Sequence, residues 1–240
     1  LHHLLSRDDI IPRQQVVEYT IEAGRIDTFS PEKIELLETV DRICINPQTF
    51  NQQVLQTVNR SNIQHAEDLI RHFEARDVIV NSDLIAGLPG ESVASFLRSL
   101  DRLIAMSPSN ITIHNLSQKR GSALRQKNLS ASGVRDMLRQ GYVALREADY
   151  QPYYLYRQKN MLANGENVGY EKGNTPCIYN IRMMEDAHEI VSLGSNAVSK
   201  RLDAKGLKRI PSIKETTLYL VETDRRQKDM ADFFSPKEEA

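Results

Sequence analysis

Residues 78–90, Val-Ile-Val-Asn-Ser-Asp-Leu-Ile-Ala-Gly-Leu-Pro-Gly, carry an apolar run into a carboxylate and then into a tight loop. A short run of branched apolar residues closed by turn residues reads as a buried β-strand. Phe96, Leu97, Leu100, Leu103 and Ile104 follow at helical spacing, so strand, loop and helix make one βα unit. In a parallel sheet that curls into a barrel, the C-terminal strand ends form the mouth where chemistry is done. Asp83 stands at such an end.

The plan repeats on both sides. Val16 to Ala23 alternates in the manner of a strand, and Ser30-Pro31 opens a helix carrying Ile34, Leu37 and Val40. Ile43 to Ile45 is a short strand leading into Asn46-Pro47-Gln48. Val54 to Val58 is a short helix, and Ala66, Leu69, Ile70 and Phe73 form the buried stripe of a longer one. Ile111 to His114 is again a strand, followed by a helix through Val134, Met137, Leu138, Tyr142 and Leu145. This alternation predicts an α/β fold with a parallel sheet and helices outside it, because such crossovers are right-handed. Tyr153 to Tyr156 reads as a last barrel strand, and Asn164 to Pro176 as a Gly- and Asn-rich connection. From Ile178 onward a mixed, helix-rich small domain is expected. Its basic residues Lys200, Arg201, Lys205, Lys208, Arg209 and Lys214 read as a solvated surface.

Composition narrows the classes. A chain of 240 residues with 40% hydrophobic residues can build a real core. Its net charge of −1 argues against a nucleic-acid binder that neutralises phosphates. No apolar run is long enough to span a membrane, no signal-peptide pattern opens the chain, and a cytoplasmic location is expected. Two cysteines, Cys44 and Cys177, are too few for a disulfide framework or a protein-only metal cluster. Cys44 reads as a small buried hydrophobe. Leu1-His2-His3-Leu4-Leu5 reads as the tail of a helix already under way, so a fragment is expected.

Several polar groups stand near strand ends. Glu18 and Glu22 share a strand face, but four residues of strand span roughly 13 Å. That exceeds the roughly 5–9.5 Å needed by a glycosidase carboxylate pair. Glu22 alone can hold an ammonium or a ribose hydroxyl. Parity places Cys44, Asn46 and Gln48 on one face of their strand, and Asp83 on a face with Asn81 and Ile85 of the next. Inward-facing Asn81 and Asp83 imply either a hydrogen-bond network or a ligand. Arg60 suits a bidentate grip on a ligand carboxylate. His65 and His72 read as boundary residues and not as metal ligands. His114 is ambiguous, and Tyr153, Tyr154 and Tyr156 fit either a pocket wall or a packed strand.

Glu-Tyr-Thr-Ile-Glu-Ala-Gly-Arg (18–25), Asn-Pro-Gln-Thr-Phe-Asn (46–51), Val-Asn-Arg (58–60) and Asp-Leu-Ile-Ala-Gly-Leu-Pro-Gly (83–90) resemble radical S-adenosylmethionine (SAM) enzymes of anaerobic haem synthesis. Residues 113–122, 154–160, 167–170, 178–180 and 193–200 are similar to the HemZ-type branch of oxygen-independent coproporphyrinogen III dehydrogenases. The resemblance implies a partial radical SAM barrel over 1–165, lacking its first strand, and a family-specific C-terminal domain over 166–240. It places Glu22, Gln48, Arg60, Asp83, Ser117 and Val198 at SAM. Ser117 replaces a small apolar residue, and Ser195-Asn196 departs from a more glycine-like pattern. The family's Cys-x-x-x-Cys-x-x-Cys loop is expected before residue 1, so this chain alone is expected to hold no [4Fe–4S] cluster and to make no radical. The whole enzyme implied by the resemblance takes SAM, that cluster, a tetrapyrrole and an unidentified electron donor. It converts coproporphyrinogen III to protoporphyrinogen IX by oxidative decarboxylation, with no nucleic-acid or membrane partner. A haem-delivery sibling and an inactive gene remnant are the alternatives.

Overall fold

The computed structural model describes residues 9, 12–60, 63–117, 131–156, 158–204 and 206–235. The expected helical start at Leu1–Leu5, the motif residues Gln118–Ser122 and Arg157, and Lys205 lie outside them. Within these residues the chain runs β1 (Thr20–Gly24), α1 (Pro31–Leu37), β2 (Arg42–Ile45), α2 (Gln52–Thr57), α3 (Ala66–Glu74), β3 (Ile79–Ala86), α4 (Val93–Met106) and β4 (Asn110–Asn115). Next come α5 (Ala131–Glu147), β5 (Gln151–Tyr156) and β6 (Asn167–Glu171). These strands form one sheet in the order β1-β2-β3-β4-β6-β5. Strands β1 to β4 are parallel, as their alternation with helices predicts, while β6 runs antiparallel to both β4 and β5.

Local chemistry sets the helix starts. Ser30 accepts the Lys33 N–H ahead of Pro31, Asn51 accepts from Gln53 and Val54, and Ser92 accepts from Ser95. The outer face of the sheet presents Ile43, Ile45, Val80, Leu84, Ile111 and Ile113, which pack against Ile70, Phe73, Phe96, Leu100 and Leu103 from the helices. All of these are 0–2% exposed, so the helical layer is held by ordinary apolar burial.

The inner face is polar, and its base is organised by Arg42. This side chain is 1% exposed and gives Nε and Nη2 to Glu18 Oε2, at 3.1 and 3.0 Å. Nη1 donates to Asn81 Oδ1 at 2.7 Å, and Nη2 also reaches the carbonyls of Thr175 and Pro176, each at 3.1 Å. Asn110 Nδ2 donates to the same Thr175 carbonyl at 2.8 Å. One cation thus ties β2, β3 and the residues before β1 to the segment after β6.

Three expectations change. The first strand begins at Thr20, not Val16, because Asp41 Oδ2 accepts the Tyr19 N–H and Glu18 is turned to Arg42. Val17 is consequently 78% exposed. The Gly- and Asn-rich connection contains β6, where Gly169 lies opposite Tyr154. A Cβ on Gly169 would sit 2.0 Å from Tyr154 Cε1, so only glycine lets that ring lie across the strand. The expected boundary after residue 165 falls before β6; by contacts the two compact units are Leu1–Ile178 and Tyr179–Ala240.

The second unit, taken by itself, carries α6 (Ile178–Glu185) at its entrance, a hairpin of β7 (Val198–Asp203) and β8 (Gly206–Pro211), then α7 (Thr216–Val221) and α8 (Thr223–Phe234). Four of the basic residues, Lys200, Arg201, Lys208 and Arg209, are partnered and not merely solvated. Lys200 and Arg209 both pair with Asp186, Lys208 pairs with Asp203, and buried Arg201 donates to the Phe233 carbonyl. Among the described residues, no helix is long and apolar enough to cross a membrane.

Removing Arg42 leaves Glu18 as a buried charge without its partner, the situation that most penalises a broken internal ion pair. Arg42→Met is expected to lower unfolding free energy by about 3–5 kcal/mol. Urea denaturation followed by circular dichroism, suited to a chain without tryptophan, checks this.

Candidate functional site

The parallel register sets Asp83 beside Thr112, Ile85 beside His114 and Cys44 beside Asn81. With alternate residues facing inward, Glu22 of β1, Cys44 of β2, Asp83 of β3 and His114 of β4 meet above the Arg42 layer. Their mutual electrostatics confirm the convergence. Burial pushes the Glu22 carboxyl above the usual carboxylate range; the Cys44 thiol bonds to it and lowers it in part, while the charge of Asp83 raises it further. Glu22 keeps a solvent-exposed surface despite this, as a group on the wall of an open hollow does. Burial, then the charges of Glu22 and Asp83, drive the Cys44 thiol well above its ordinary value.

Asp83 pairs with His114 through Oδ2 and Nε2 at 3.1 Å. The other ring nitrogen, Nδ1, lies 3.2 Å from the Tyr156 hydroxyl. Desolvation opposes charging His114, but the Asp83 charge and hydrogen bond, with help from Glu22, outweigh it and raise the imidazole pKa. Tyr154 stacks on Tyr156 with ring centroids 6.0 Å apart and planes 9° apart, lining the same side.

Gln48 enters this rim through its main chain. Its N–H donates to the Asp83 carbonyl at 3.0 Å and its own carbonyl accepts from Ile85 N–H at 2.9 Å. The residue adopts φ 67, a left-handed conformation that disfavours glutamine and is held by those two bonds. Arg60 follows α2, half buried, with Nη1 3.4 Å from the Asn46 carbonyl. Burial and nearby Arg25 lower its pKa, while Asp27 and Asp83 act in the opposite sense. Asn46 Oδ1 and Asn115 Oδ1 are buried without a hydrogen-bond partner. Two carboxylates, an amide residue and a guanidinium thus lie near one another, a set whose chemistry suits ammonium or hydroxyl donors and a carboxylate. Among the described residues, no group of three or more His, Cys, Asp or Glu side chains could hold a metal ion. A separate groove of about 500 Å³ lies on the outer face, lined by Ile113, Leu138, Tyr142, Val168 and Tyr170, and none of the rim groups lines it.

Comparison with known proteins fits this geometry. No family model matches the chain. It is 38% identical over 199 residues to the oxygen-independent coproporphyrinogen-III oxidase-like protein HemZ of Bacillus subtilis (strain 168), covering 79% of this chain and 40% of HemZ. The chain belongs to the HemZ/HemN-type family of radical SAM proteins. It shares its fold with the solved structure of the Escherichia coli coproporphyrinogen III oxidase HemN, a radical SAM enzyme. That match has a TM-score of 0.70 at 18% identity and covers 94% of this chain and 54% of HemN. A haem chaperone, HemW of Buchnera aphidicola subsp. Acyrthosiphon pisum (strain APS), is 27% identical over 146 residues, covering 59% of this chain and 36% of HemW. The chain thus spans less than two thirds of the length of these relatives.

Of the expected site residues of this HemZ/HemN-type chain, Glu22 and Arg60 lie within electrostatic reach of Asp83, and Gln48 is bonded to its main chain. Ser117 sits just past β4, where its hydroxyl donates to the Lys159 carbonyl at 2.7 Å. Val198 opens β7 in the second unit, and its carbonyl accepts the Ser192 hydroxyl at 2.9 Å. Nearby Asn196 takes the left-handed conformation at φ 60, which asparagine tolerates better than most residues; the departure from glycine is accommodated. Sequence reading missed the partnership of His114 with Asp83 and Tyr156. Strand parity puts His114 on the face of Thr112, but the place of β5 beyond β6 is not visible in the chain.

Glu91, just after the Gly87-Leu88-Pro89-Gly90 loop, was missed too. Thr49 Oγ1 donates to its Oε1 at 2.6 Å, and Ser95 Oγ lies 3.3 Å from the same atom. The carboxyl is 8% exposed and fastens the Gln48 loop to α4. Burial raises its pKa, with Thr49 and Ser95 offsetting part of that. A carboxyl whose folded-state pKa is raised contributes most below the unfolded-chain value, about 4.3, and loses that contribution as pH rises through the folded-state value. Glu91→Gln is therefore expected to match or exceed the wild type in stability at pH 8 and to show a smaller loss between pH 4 and pH 8. Glu91→Ala, which strands Thr49 and Ser95, is expected to cost about 1–3 kcal/mol at either pH. Urea titrations at the two pH values check both.

Proposed function

We propose that the first unit binds SAM at the open strand ends, as part of an oxygen-independent coproporphyrinogen III oxidase-type enzyme acting on a tetrapyrrole. The observation that carries this reading is the closeness of Glu22, Arg60 and the Gln48 main chain to Asp83. SAM presents a carboxylate, an ammonium, a sulfonium and two ribose hydroxyls, and the rim offers a complement to each. Arg60 takes the carboxylate, as a planar guanidinium does best. Glu22 and Asp83 take the ammonium or the ribose hydroxyls, and their negative charge suits the sulfonium. Gln48 takes a hydroxyl. The unpartnered Asn46 Oδ1 beside the Arg60 anchor supports a ligand donor there.

When bound, SAM supplies hydrogen-atom abstraction after one-electron cleavage. The residues of this chain orient it and screen the hollow from water, which strengthens each polar contact. Among the described residues, the donor set does not fit an iron–sulfur cluster: both cysteines are buried, and no other grouping of ligands exists. For the tetrapyrrole, oxidative loss of carboxyl carbon from a propionate is the reaction that the likeness to HemZ supports. Tyr154 and Tyr156 offer aromatic wall on the β5 side.

Likeness to a haem chaperone supports a second reading, in which the hollow serves haem delivery. Calorimetric titration with SAM under anaerobic conditions separates the outcomes. Saturable binding is expected, weakened about 10- to 100-fold by Arg60→Ala or Asp83→Asn, as lost hydrogen bonds to charged groups imply. Absence of SAM binding, together with stoichiometric haem binding, overturns the first reading in favour of the second.

A further inference from the structure

We propose that His114, backed by Tyr156, is a positioning residue that fixes the charge and orientation of Asp83, so that the hollow favours a sulfonium ligand over the corresponding thioether. This rests on the SAM reading above and goes beyond it by naming what discriminates between ligands of the same shape.

The geometry is that of a three-membered chain, with Asp83 Oδ2 3.1 Å from His114 Nε2 and His114 Nδ1 3.2 Å from the Tyr156 hydroxyl. Both ring nitrogens are occupied, so the ring cannot turn without breaking one bond. When Tyr156 donates to Nδ1, the proton of neutral imidazole is confined to Nε2 and points at Asp83. Asp83 Oδ2 is then engaged by the ring N–H, which leaves Oδ1 for the hollow. When the ring is charged, the Tyr156 hydroxyl reverses its role and accepts, so the same atoms remain paired. The pair carries one negative charge in the first state and none in the second.

The surroundings decide which state the ligand meets. His114 is faced by Glu22 from β1, by Asp83 from β3 and by Tyr156 from β5. Beyond these, Cys44 of β2 bonds Glu22, Tyr154 of β5 stacks on Tyr156, Arg60 lies within the influence of Asp83, and Arg42 within that of Glu22. The facing β6 residue Asn167 is neutral and bonds the Tyr156 hydroxyl. Net negative charge around the ring favours its protonation, so loss of that proton switches the pair from neutral to anionic above the ordinary imidazole value. A sulfonium, being cationic, gains from the anionic state, whereas a thioether does not. At an intermediate effective dielectric, one charge acting across a few ångströms changes affinity by about tenfold.

Two measurements test this independently. Long-range proton–nitrogen correlation spectra of the ligand-free chain are expected to show His114 as the Nε2–H tautomer with a midpoint above the ordinary value of about 6.5, lowered in Asp83→Asn. A midpoint at or below the ordinary value, or one indifferent to Asp83→Asn, overturns the pairing whether or not SAM binds. Binding of SAM and of S-adenosylhomocysteine is then compared about one unit below and about one unit above that measured midpoint. The preference for SAM is expected to grow about tenfold in the wild type. It is expected to stay constant in His114→Gln, which keeps a donor toward Asp83 but cannot be charged. A preference that does not change with pH in the wild type, or changes equally in His114→Gln, overturns the discrimination alone. Intact pairing with neither ligand bound overturns the SAM reading, and the discrimination falls with it.

Discussion

Arg42 carries a full charge where solvent barely reaches, and the inner side of the sheet is arranged to hold it. Glu18, Asn81 and two main-chain carbonyls from the segment after β6 meet the guanidinium. Such an arrangement is tolerable only when every donor is answered. Because the partners come from separate stretches of chain, the cation gathers the lower end of the curled sheet into one body. The apolar helices close the outer face, and the polar inner face is left to do something else.

What it does lies one layer up. The alternation that points Arg42 and Asn81 inward also points Cys44 and Asp83 inward two residues later, and the parallel register adds His114 alongside. Structural and functional polarity are thus successive turns of one pleat. In the lower layer Arg42 is met by Glu18, Asn81 and main-chain carbonyls, whereas in the upper Asp83 pairs with His114 and Arg60 reaches the Asn46 carbonyl. Asn81 thus belongs to the internal network and Asp83 to the polar layer above it.

Much of this was legible in the chain. Strands β2 to β4 and their helices follow from apolar runs, caps and helical spacing, because those residues bury against one another locally. The expectation of Glu22, Gln48, Arg60 and Asp83 as ligand groups rests on motif resemblance joined to strand-end position. Other features depended on distant partners. The strand β6 hides behind Gly169, whose lack of a side chain weakens any β pattern yet is demanded by the Tyr154 ring. The hairpin of β7 and β8 hides behind its basic residues, which look solvated until Asp186 and Asp203 are seen beside them. His114 is readable as inward-facing, but its bond to Tyr156 requires knowing that β5 lies across β6.

Gln48 joins β3 through main-chain atoms alone. The placement of Gln48 itself is therefore written in the peptide geometry, while Thr49 and Glu91 fasten the loop beyond it through side chains. A ligand that presses on this loop pushes directly on the strand bearing Asp83, so that the amide and the carboxylate respond as a single lever.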